Sequence, residues 1–181
     1  DVALILGVGE HHGPAARAWT ARLLGATFDS PLDGGIVRNF TRARTMAIPG
    51  RGRRRVVRAD FPDGAFPIQA GAQVRSYLGL TSRSATLALS AATYAPRLLG
   101  PALSLPLPGS SDWAITATSR TSGRSASARG TGQSGATAHL TAMTVANSLR
   151  QREGSGVRYM ADVVSLAEVA ALEGIEVISQ R

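Results

Sequence analysis

The chain has 181 residues, of which 44% are apolar and 5% aromatic, and its formal net charge is +8. This length suits one domain with a sizeable core, and no apolar run approaches the ~20 residues that a membrane span needs. The chain contains no cysteine, which excludes disulfides and thiolate metal sites. Every basic residue is arginine, but no helix-turn-helix, zinc finger or aromatic stacking motif accompanies them. We therefore do not expect nucleic acid to be the main partner.

The opening of the chain predicts a strand, a glycine-rich turn and a helix. The apolar run from Val2 to Leu6 is typical of a short buried strand. Pro14 suits the first position of the helix, where its missing N–H costs nothing. Apolar residues then recur at helical spacing, which predicts a face that packs back onto the strand: Ala15, Ala16, Trp19 and Leu23.

Three interpretations of the turn remain open at this point. In the first, its glycines form a dinucleotide fingerprint in which a pyrophosphate meets the helix N-terminus and Asp29 meets a ribose hydroxyl. The three glycines are Gly7, Gly9 and Gly13. In the second, the turn faces a substrate, and in the third it is purely structural. The spacing is one residue longer than the common fingerprint, and bulky polar residues occupy the turn, namely Glu10, His11 and His12.

Glycine, proline and serine residues mark the ends of the next elements. Residues 26–35 are interpreted as a loop, and residues 44–62 as a β-hairpin connected at Gly50–Gly52. A strand is predicted at 73–80, followed by a helix that Ser82 caps and that Pro96 bends or ends. The proline-rich stretch 99–109 is the best candidate for a hinge.

The last third predicts a hairpin, two helices and a strand. The hairpin covers residues 113–132, and its small side chains indicate a flat sheet with helices on one side. A helix is predicted at 135–151, and Ser165 with Glu168 forms a capping box for a helix that ends at Gly174. Together the elements predict one α/β (α+β) domain over residues 1–181, a mixed sheet with helices mainly on one face.

Small-residue motifs in this last third carry a resemblance. They are Trp113 at a strand start, Gly123 in the hairpin turn, Gly132 at the end of the second, Ala-rich strand, Thr137-Ala138 at a helix start, Ala146 and Leu149 in that helix, and Gly156-Val157. The chain resembles the C-terminal portion of bacterial saccharopine dehydrogenase-like proteins, a family of NAD(P)-dependent oxidoreductases. The opening, with Gly7-Val8-Gly9 and Pro14, is similar to the strand and turn that follow the family's dinucleotide domain.

The resemblance implies a role for the chain as a whole. It would be the substrate-binding and dimerisation domain of a cytoplasmic oxidoreductase, forming a homo-oligomer and receiving a small-molecule substrate. The dinucleotide-binding domain would precede Asp1, outside this chain, so NADP or NAD would be held mainly elsewhere. Two other classes stay open: a non-catalytic scaffold or dimerisation module, and a basic nucleic-acid-binding protein.

The same resemblance suggests roles for particular residues. His11 or His12, next to Glu10, would move a proton during hydride transfer, because an imidazole titrates near neutral pH. The turn glycines Gly7, Gly9 and Gly13 would line the cofactor side of the cleft. A substrate carboxylate would be anchored by arginine, the candidates being Arg38, Arg42 and Arg75. No metal site is expected, since adjacent histidines diverge on an extended chain and only His139 offers a third imidazole.

Overall fold

The computed structural model describes residues 1–10, 13–62, 73–99, 109–150 and 156–180. The strands are β1 (Val2–Leu6), β2 (Thr27–Ser30), β3 (Gly35–Arg38), β4 (Arg44–Ile48), β5 (Gly52–Arg58), β6 (Ser76–Leu80), β7 (Asp112–Thr118), β8 (Ser125–Thr131) and β9 (Ile175–Gln180). The helices are α1 (Pro14–Leu23), α2 (Arg83–Ala92), α3 (Pro96–Leu99), α4 (Gln133–Arg150), α5 (Met160–Val163) and α6 (Leu166–Ala170). In the part of the chain so described, no helix combines the length and apolarity needed to cross a membrane.

Seven strands form one mixed sheet in the order β4-β5-β6-β1-β7-β8-β9, and β2 pairs with β3 separately. Strand β1 lies at the centre of this order. It runs parallel to β6 on one side and antiparallel to β7 on the other. The other five neighbouring pairs, including β2–β3, are antiparallel. The predicted mixed α/β fold is confirmed.

The two faces of β1 enter different cores because successive side chains of a strand point to opposite faces. Ala3 and Ile5 are fully buried against residues of the β4–β5 hairpin, among them Met46 and Ile48. On the other face, a second core centres on Phe40, Val57 and Leu78 and receives Leu89 of α2, Leu4 and Leu6 of β1, and Leu23 of α1. Helices α1 and α2 thus cover one face, and the hairpin covers the other.

The sheet is curled rather than flat, which corrects the expectation of a flat sheet. Strand β4 contacts β7 across the concave side, although three strands separate them in the sheet order. Ion pairs support this curl. Arg51, between β4 and β5, pairs with Asp112 of β7 at 2.8 Å. The Asp1 carboxylate, just before β1, pairs with Arg44 of β4 at 2.8 Å and with Arg120, just after β7, at 2.9 Å. The curl follows from the natural twist of strands, which accumulates across seven of them.

Helix α1 forms as predicted, but most of its apolar residues do not pack on β1. Ala15, Ala16 and Trp19 are exposed, and only Leu23 reaches the core. The prediction of a packed face was therefore wrong for three of its four residues. Trp19 instead stacks on Phe61, with ring centroids 5.5 Å apart.

Several local predictions are confirmed and two are wrong. Both hairpins, the α4 helix, the final strand and the Ser82 cap are present, and Ser165 and Glu168 cap α6 reciprocally at 2.7 and 3.2 Å. Residues 26–35 were interpreted as a loop, but they contain β2 and the start of β3. The predicted break at Pro96 is present, since α2 ends at Ala92 and Pro96 begins α3, but α6 ends at Ala170 rather than at Gly174. Most of the proposed hinge at 99–109 lies outside the described residues.

Candidate functional site

The opening turn is packed against the backbone that leads into β7. A Cβ atom at Gly7 would lie 2.7 Å from the carbonyl carbon of Ser111, and one at Gly9 would lie 2.7 Å from that of Gly109. The Gly9 N–H donates to the Ser110 carbonyl at 3.1 Å. The missing side chains of Gly7 and Gly9 therefore make room for this protein backbone.

Glu10, the next residue in the turn, caps a helix. Its Oε1 accepts a hydrogen bond from the backbone N–H of Ser134 at 3.1 Å, in the first turn of α4. A carboxylate there satisfies an amide that has no partner within the helix and opposes the positive end of the helix dipole. The described geometry gives Glu10 a structural contact 124 residues away along the chain.

These contacts decide whether the turn fits a dinucleotide. A pyrophosphate needs bare N–H groups where the backbone approaches it closely. Here the carbonyl of Gly109 occupies the space beside Gly9, and the Gly9 N–H is already bonded. A carbonyl oxygen and the Glu10 carboxylate would both repel a phosphate. The described residues of this turn, Gly7 to Glu10, therefore do not fit a pyrophosphate.

A cluster of three arginines surrounds Asp33 at the opposite end of the sheet. Arg58 donates from Nε to the Asp33 carboxylate at 2.8 Å, and Arg75 donates to it at 3.2 Å. Arg42 donates to the Asp33 backbone carbonyl at 2.7 Å, and its guanidinium lies 3.8 Å from the carboxylate. We call Asp33, Arg42, Arg58 and Arg75 the Asp33 cluster; its formal charge is positive because three cations share one carboxylate.

Arg58 is the most deeply placed member of the cluster. Its side chain is 3% exposed, and it also donates to the Ser76 carbonyl at 2.6 Å and the Ser30 hydroxyl at 3.0 Å. The guanidinium lies over the rings of Phe28 and Tyr77, at 5.1 and 5.3 Å. A buried guanidinium is tolerated only with such partners, so Arg58 holds a fixed position.

The electrostatics of Asp33 follow from this arrangement. Partial burial opposes its ionisation, but hydrogen bonds from Ser30 and Arg58 and the charges of Arg58 and Arg75 outweigh burial and lower its pKa. Asp33 is therefore ionised at neutral pH, and the cluster keeps its excess of positive charge.

An unusual turn positions Arg42 in the cluster. Phe40 and Arg42 have φ of +60° and +47°, a conformation that side chains other than glycine rarely adopt. The turn is held by backbone bonds from Phe40 to the Arg58 carbonyl at 2.7 Å and from Arg58 to the Thr41 carbonyl at 2.9 Å. Such conformations cost on the order of 1 kcal/mol or more and persist where surrounding contacts fix them.

A pocket of about 420 Å³ adjoins the cluster. Arg58, Ser30 and Ser76 contribute polar groups to its wall, and Phe28 and Phe61 contribute aromatic rings. Asp29 and Asp60, both exposed, also line it. Its size suits a small metabolite, and it combines a buried cation with apolar walls and acidic residues at the rim.

The structure separates the predicted site residues into two places. Arg75 directly precedes β6 and Gly7 directly follows β1, and these strands run parallel in register, so the two residues lie about 20 Å apart at opposite ends. Arg38 joins neither group; its guanidinium lies 5.4 Å from the Tyr94 ring centroid. Gly13 is the N-cap residue of α1, and His11 and His12 lie outside the described residues.

Sequence reasoning missed Asp33 and Arg58. Asp33 falls in the stretch interpreted as a loop, and Arg58 in the second arm of the hairpin predicted at 44–62, and neither was named as a site residue. Their contact joins residues 25 positions apart in the chain, so no local sequence pattern predicts it.

Comparison with known proteins adds no family to these observations. No family model, curated protein or solved structure matches the chain. The functional interpretation therefore depends on the turn, the Asp33 cluster and the pocket.

Proposed function

We propose that the chain is the substrate-binding and dimerisation domain of a saccharopine dehydrogenase-like, NAD(P)-dependent oxidoreductase. The observation that carries this proposal is the pocket of about 420 Å³ with Arg58 in its wall, since Asp33, the partner of Arg58, also pairs with Arg42 and Arg75. The domain would hold a small substrate with a carboxylate group, and the nicotinamide cofactor would be bound outside the described residues. The opening turn, where protein backbone lies against Gly7 and Gly9, supports the assignment of substrate binding and not cofactor binding to this chain.

The charge of the cluster supports a carboxylate ligand. Three guanidiniums face one carboxylate, so the electrostatic potential on the Arg58 side of the pocket favours an anion. Arg58 already donates to Asp33, Ser30 and Ser76, so it would attract a ligand carboxylate mainly through its charge. The acidic rim residues Asp29 and Asp60 oppose a polyanion, so a small acid, or one that also carries an ammonium group, fits better than a polyphosphate.

Trp19 offers a direct way to test this site. It stacks on Phe61, and Phe61 lines the pocket, so a ligand there should change the fluorescence of Trp19. The only other tryptophan, Trp113, lies on β7 and is replaced by phenylalanine to leave one reporter. We expect glutarate, a simple dicarboxylate, to give a saturable change, and the uncharged analogue glutaramide to give none.

Two variants make the test specific for the Asp33 cluster. Arg42→Gln removes one of its charges at a half-exposed position, so we expect glutarate affinity to fall ~3–10-fold by loss of Coulomb attraction. Arg53→Gln removes the same charge from an exposed site on β5 and should leave affinity within ~2-fold. Equal responses to glutarate and glutaramide, or equal losses in the two variants, would contradict the proposed site.

A further inference from the structure

One side of the molecule carries arginines and no acidic residues. It is formed by α1, α2 and α3 and by the outer face of the β4–β5 hairpin. None of these elements contains Asp or Glu, although the chain has 12 of them. Within the described residues, their exposed arginines form no ion pair. These exposed arginines are Arg17, Arg22, Arg53, Arg55, Arg83 and Arg97.

Contacts between these elements make this side continuous. The two exposed arginines of β5 lie on the same face of the strand as Val57, because side chains two apart share a face, and Val57 belongs to the core beneath α2. At the other end of α2, the Gly25 N–H, just after α1, donates to the Thr93 hydroxyl at 2.9 Å. The Pro96 ring of α3 lies 3.2 Å from the position that a Cβ atom of Gly25 would take. The hairpin, α2, α3 and the end of α1 are therefore neighbours.

Large apolar side chains project from the same side. The buried residues of α2 face the sheet, so at about 100° per residue Arg83 and Leu87 lie on its outward side, one turn apart. The helical path continues into α3 with further exposed apolar residues. The exposed fractions are 50% at Leu87, 67% at Tyr94 and 81% at Leu98. Positive charge and apolar groups that water solvates poorly are thus combined on one side of the molecule.

We propose that these six arginines, with Leu87, Tyr94 and Leu98, form a basic–apolar surface that docks on an anionic lipid bilayer. The charge of the surface is complementary to acidic headgroups, and each arginine near such a membrane adds to the attraction. The two leucines and the tyrosine enter the boundary between headgroups and acyl chains, where apolar and aromatic side chains are buried. A nucleic acid backbone would use the arginines and leave the leucines in water. A membrane matches both halves of the surface.

The basic–apolar surface is separate from the proposed substrate site. None of its residues lines the pocket beside the Asp33 cluster. Arg58, which does line it, lies on the opposite face of β5, with its guanidinium 5.3 Å from the Tyr77 ring centroid. Membrane docking therefore goes beyond the proposed function, and neither proposal depends on the other.

Cosedimentation with sucrose-loaded vesicles tests the docking. The chain should bind vesicles of phosphatidylcholine with phosphatidylglycerol at least ~10-fold more strongly than vesicles of phosphatidylcholine alone. Arg83→Gln should lower the partition coefficient ~3–10-fold. Arg124→Gln removes the same charge from the exposed turn between β7 and β8 and should lower it less than ~2-fold. Absence of binding to the anionic vesicles, or equal losses in the two variants, would overturn the proposal.

A leucine variant distinguishes a membrane from other polyanions. Leu98→Ser keeps the charge and removes an apolar group that the fold leaves exposed, so the chain should still fold while vesicle binding falls ~3–10-fold. Leu149→Ser makes the same change at an exposed position of α4, outside the surface, and should lower binding less than ~2-fold.

Duplex DNA at the same ionic strength is the competing ligand. Binding to DNA at least as tight as to vesicles, and unchanged in Leu98→Ser, would show that a nucleic acid is the partner and would overturn the proposal. Glutarate binding, read from Trp19, is measured on the same chain. A chain that binds glutarate but no vesicle refutes this inference alone, and one that binds vesicles but no glutarate refutes only the proposed site.

Discussion

At the residue scale, Gly7 and Gly9 of the opening turn show that one glycine pattern is compatible with different structural roles. Spacing alone left three interpretations of the turn open, because a phosphate and a neighbouring backbone both require the absence of a side chain. The structure places the carbonyl groups of Gly109 and Ser111 beside Gly9 and Gly7. These carbonyls come from residues 100 and 104 positions away along the chain, so no local pattern could have predicted the contact.

The glycine roles predict a matched pair of stability effects. Gly9→Ala forces a methyl group into the Gly109 backbone and should destabilise the fold by ~1–3 kcal/mol. Gly13→Ala is the control, because nothing lies within 4 Å of its Cβ position and its φ is −64°. We expect Gly13→Ala to lower the free energy of unfolding by less than ~1 kcal/mol, as measured by urea unfolding. Similar losses at both positions would show that backbone packing does not explain Gly9.

At the scale of elements, local signals predicted what local energetics controls. Hairpin turns, the Ser82 cap and the Ser165–Glu168 capping box were all found in the sequence, since each depends on residues within a few positions. The β2–β3 pair was missed because Ser30-Pro31 and Asp33-Gly34 have turn chemistry even though they flank short strands. The Asp33 cluster depends on that pair and was missed with it.

Helix α4 offers a test of the contact made by Glu10. Glu10→Ala removes the acceptor of the Ser134 amide and should cost ~1 kcal/mol of stability, as loss of an N-terminal cap does. Glu10→Gln keeps an oxygen acceptor and should lose about half as much or less. Thermal unfolding followed by circular dichroism measures both. An alanine variant as stable as the parent would mean that the contact contributes nothing to α4.

At the scale of the whole molecule, the curl of the sheet is the feature that sequence reasoning could not supply. Strand propensity predicted most strands, but the closure of β4 over β7 depends on twist summed over the sheet and on long-range ion pairs. Two of the three predicted carboxylate anchors, Arg42 and Arg75, nevertheless converge on one aspartate. The histidine prediction stays a prediction.

Low pH should destabilise the curled sheet by weakening the ion pair between Arg51 and Asp112. Hydrogen bonds from Ser110, Arg51 and Thr131 lower the pKa of Asp112 to about 2, from an ordinary value of 3.8. Its stabilising contribution is thus complete above pH 3.8 and is lost as pH falls toward 2. Urea unfolding between pH 5 and about pH 2.5 should show a shallower loss in Asp112→Asn than in the parent. Identical slopes would contradict a role for the Arg51–Asp112 pair.

The division of roles between substrate and cofactor is tested most directly by calorimetric titration of the chain with glutarate and, separately, with NADPH and NADH. The account predicts saturable heat with glutarate, reduced in Arg42→Gln but not in Arg53→Gln, and no saturable heat with either dinucleotide. Saturable dinucleotide binding that Gly9→Ala abolishes without unfolding the chain would place the cofactor at the opening turn. That result would contradict the central claim.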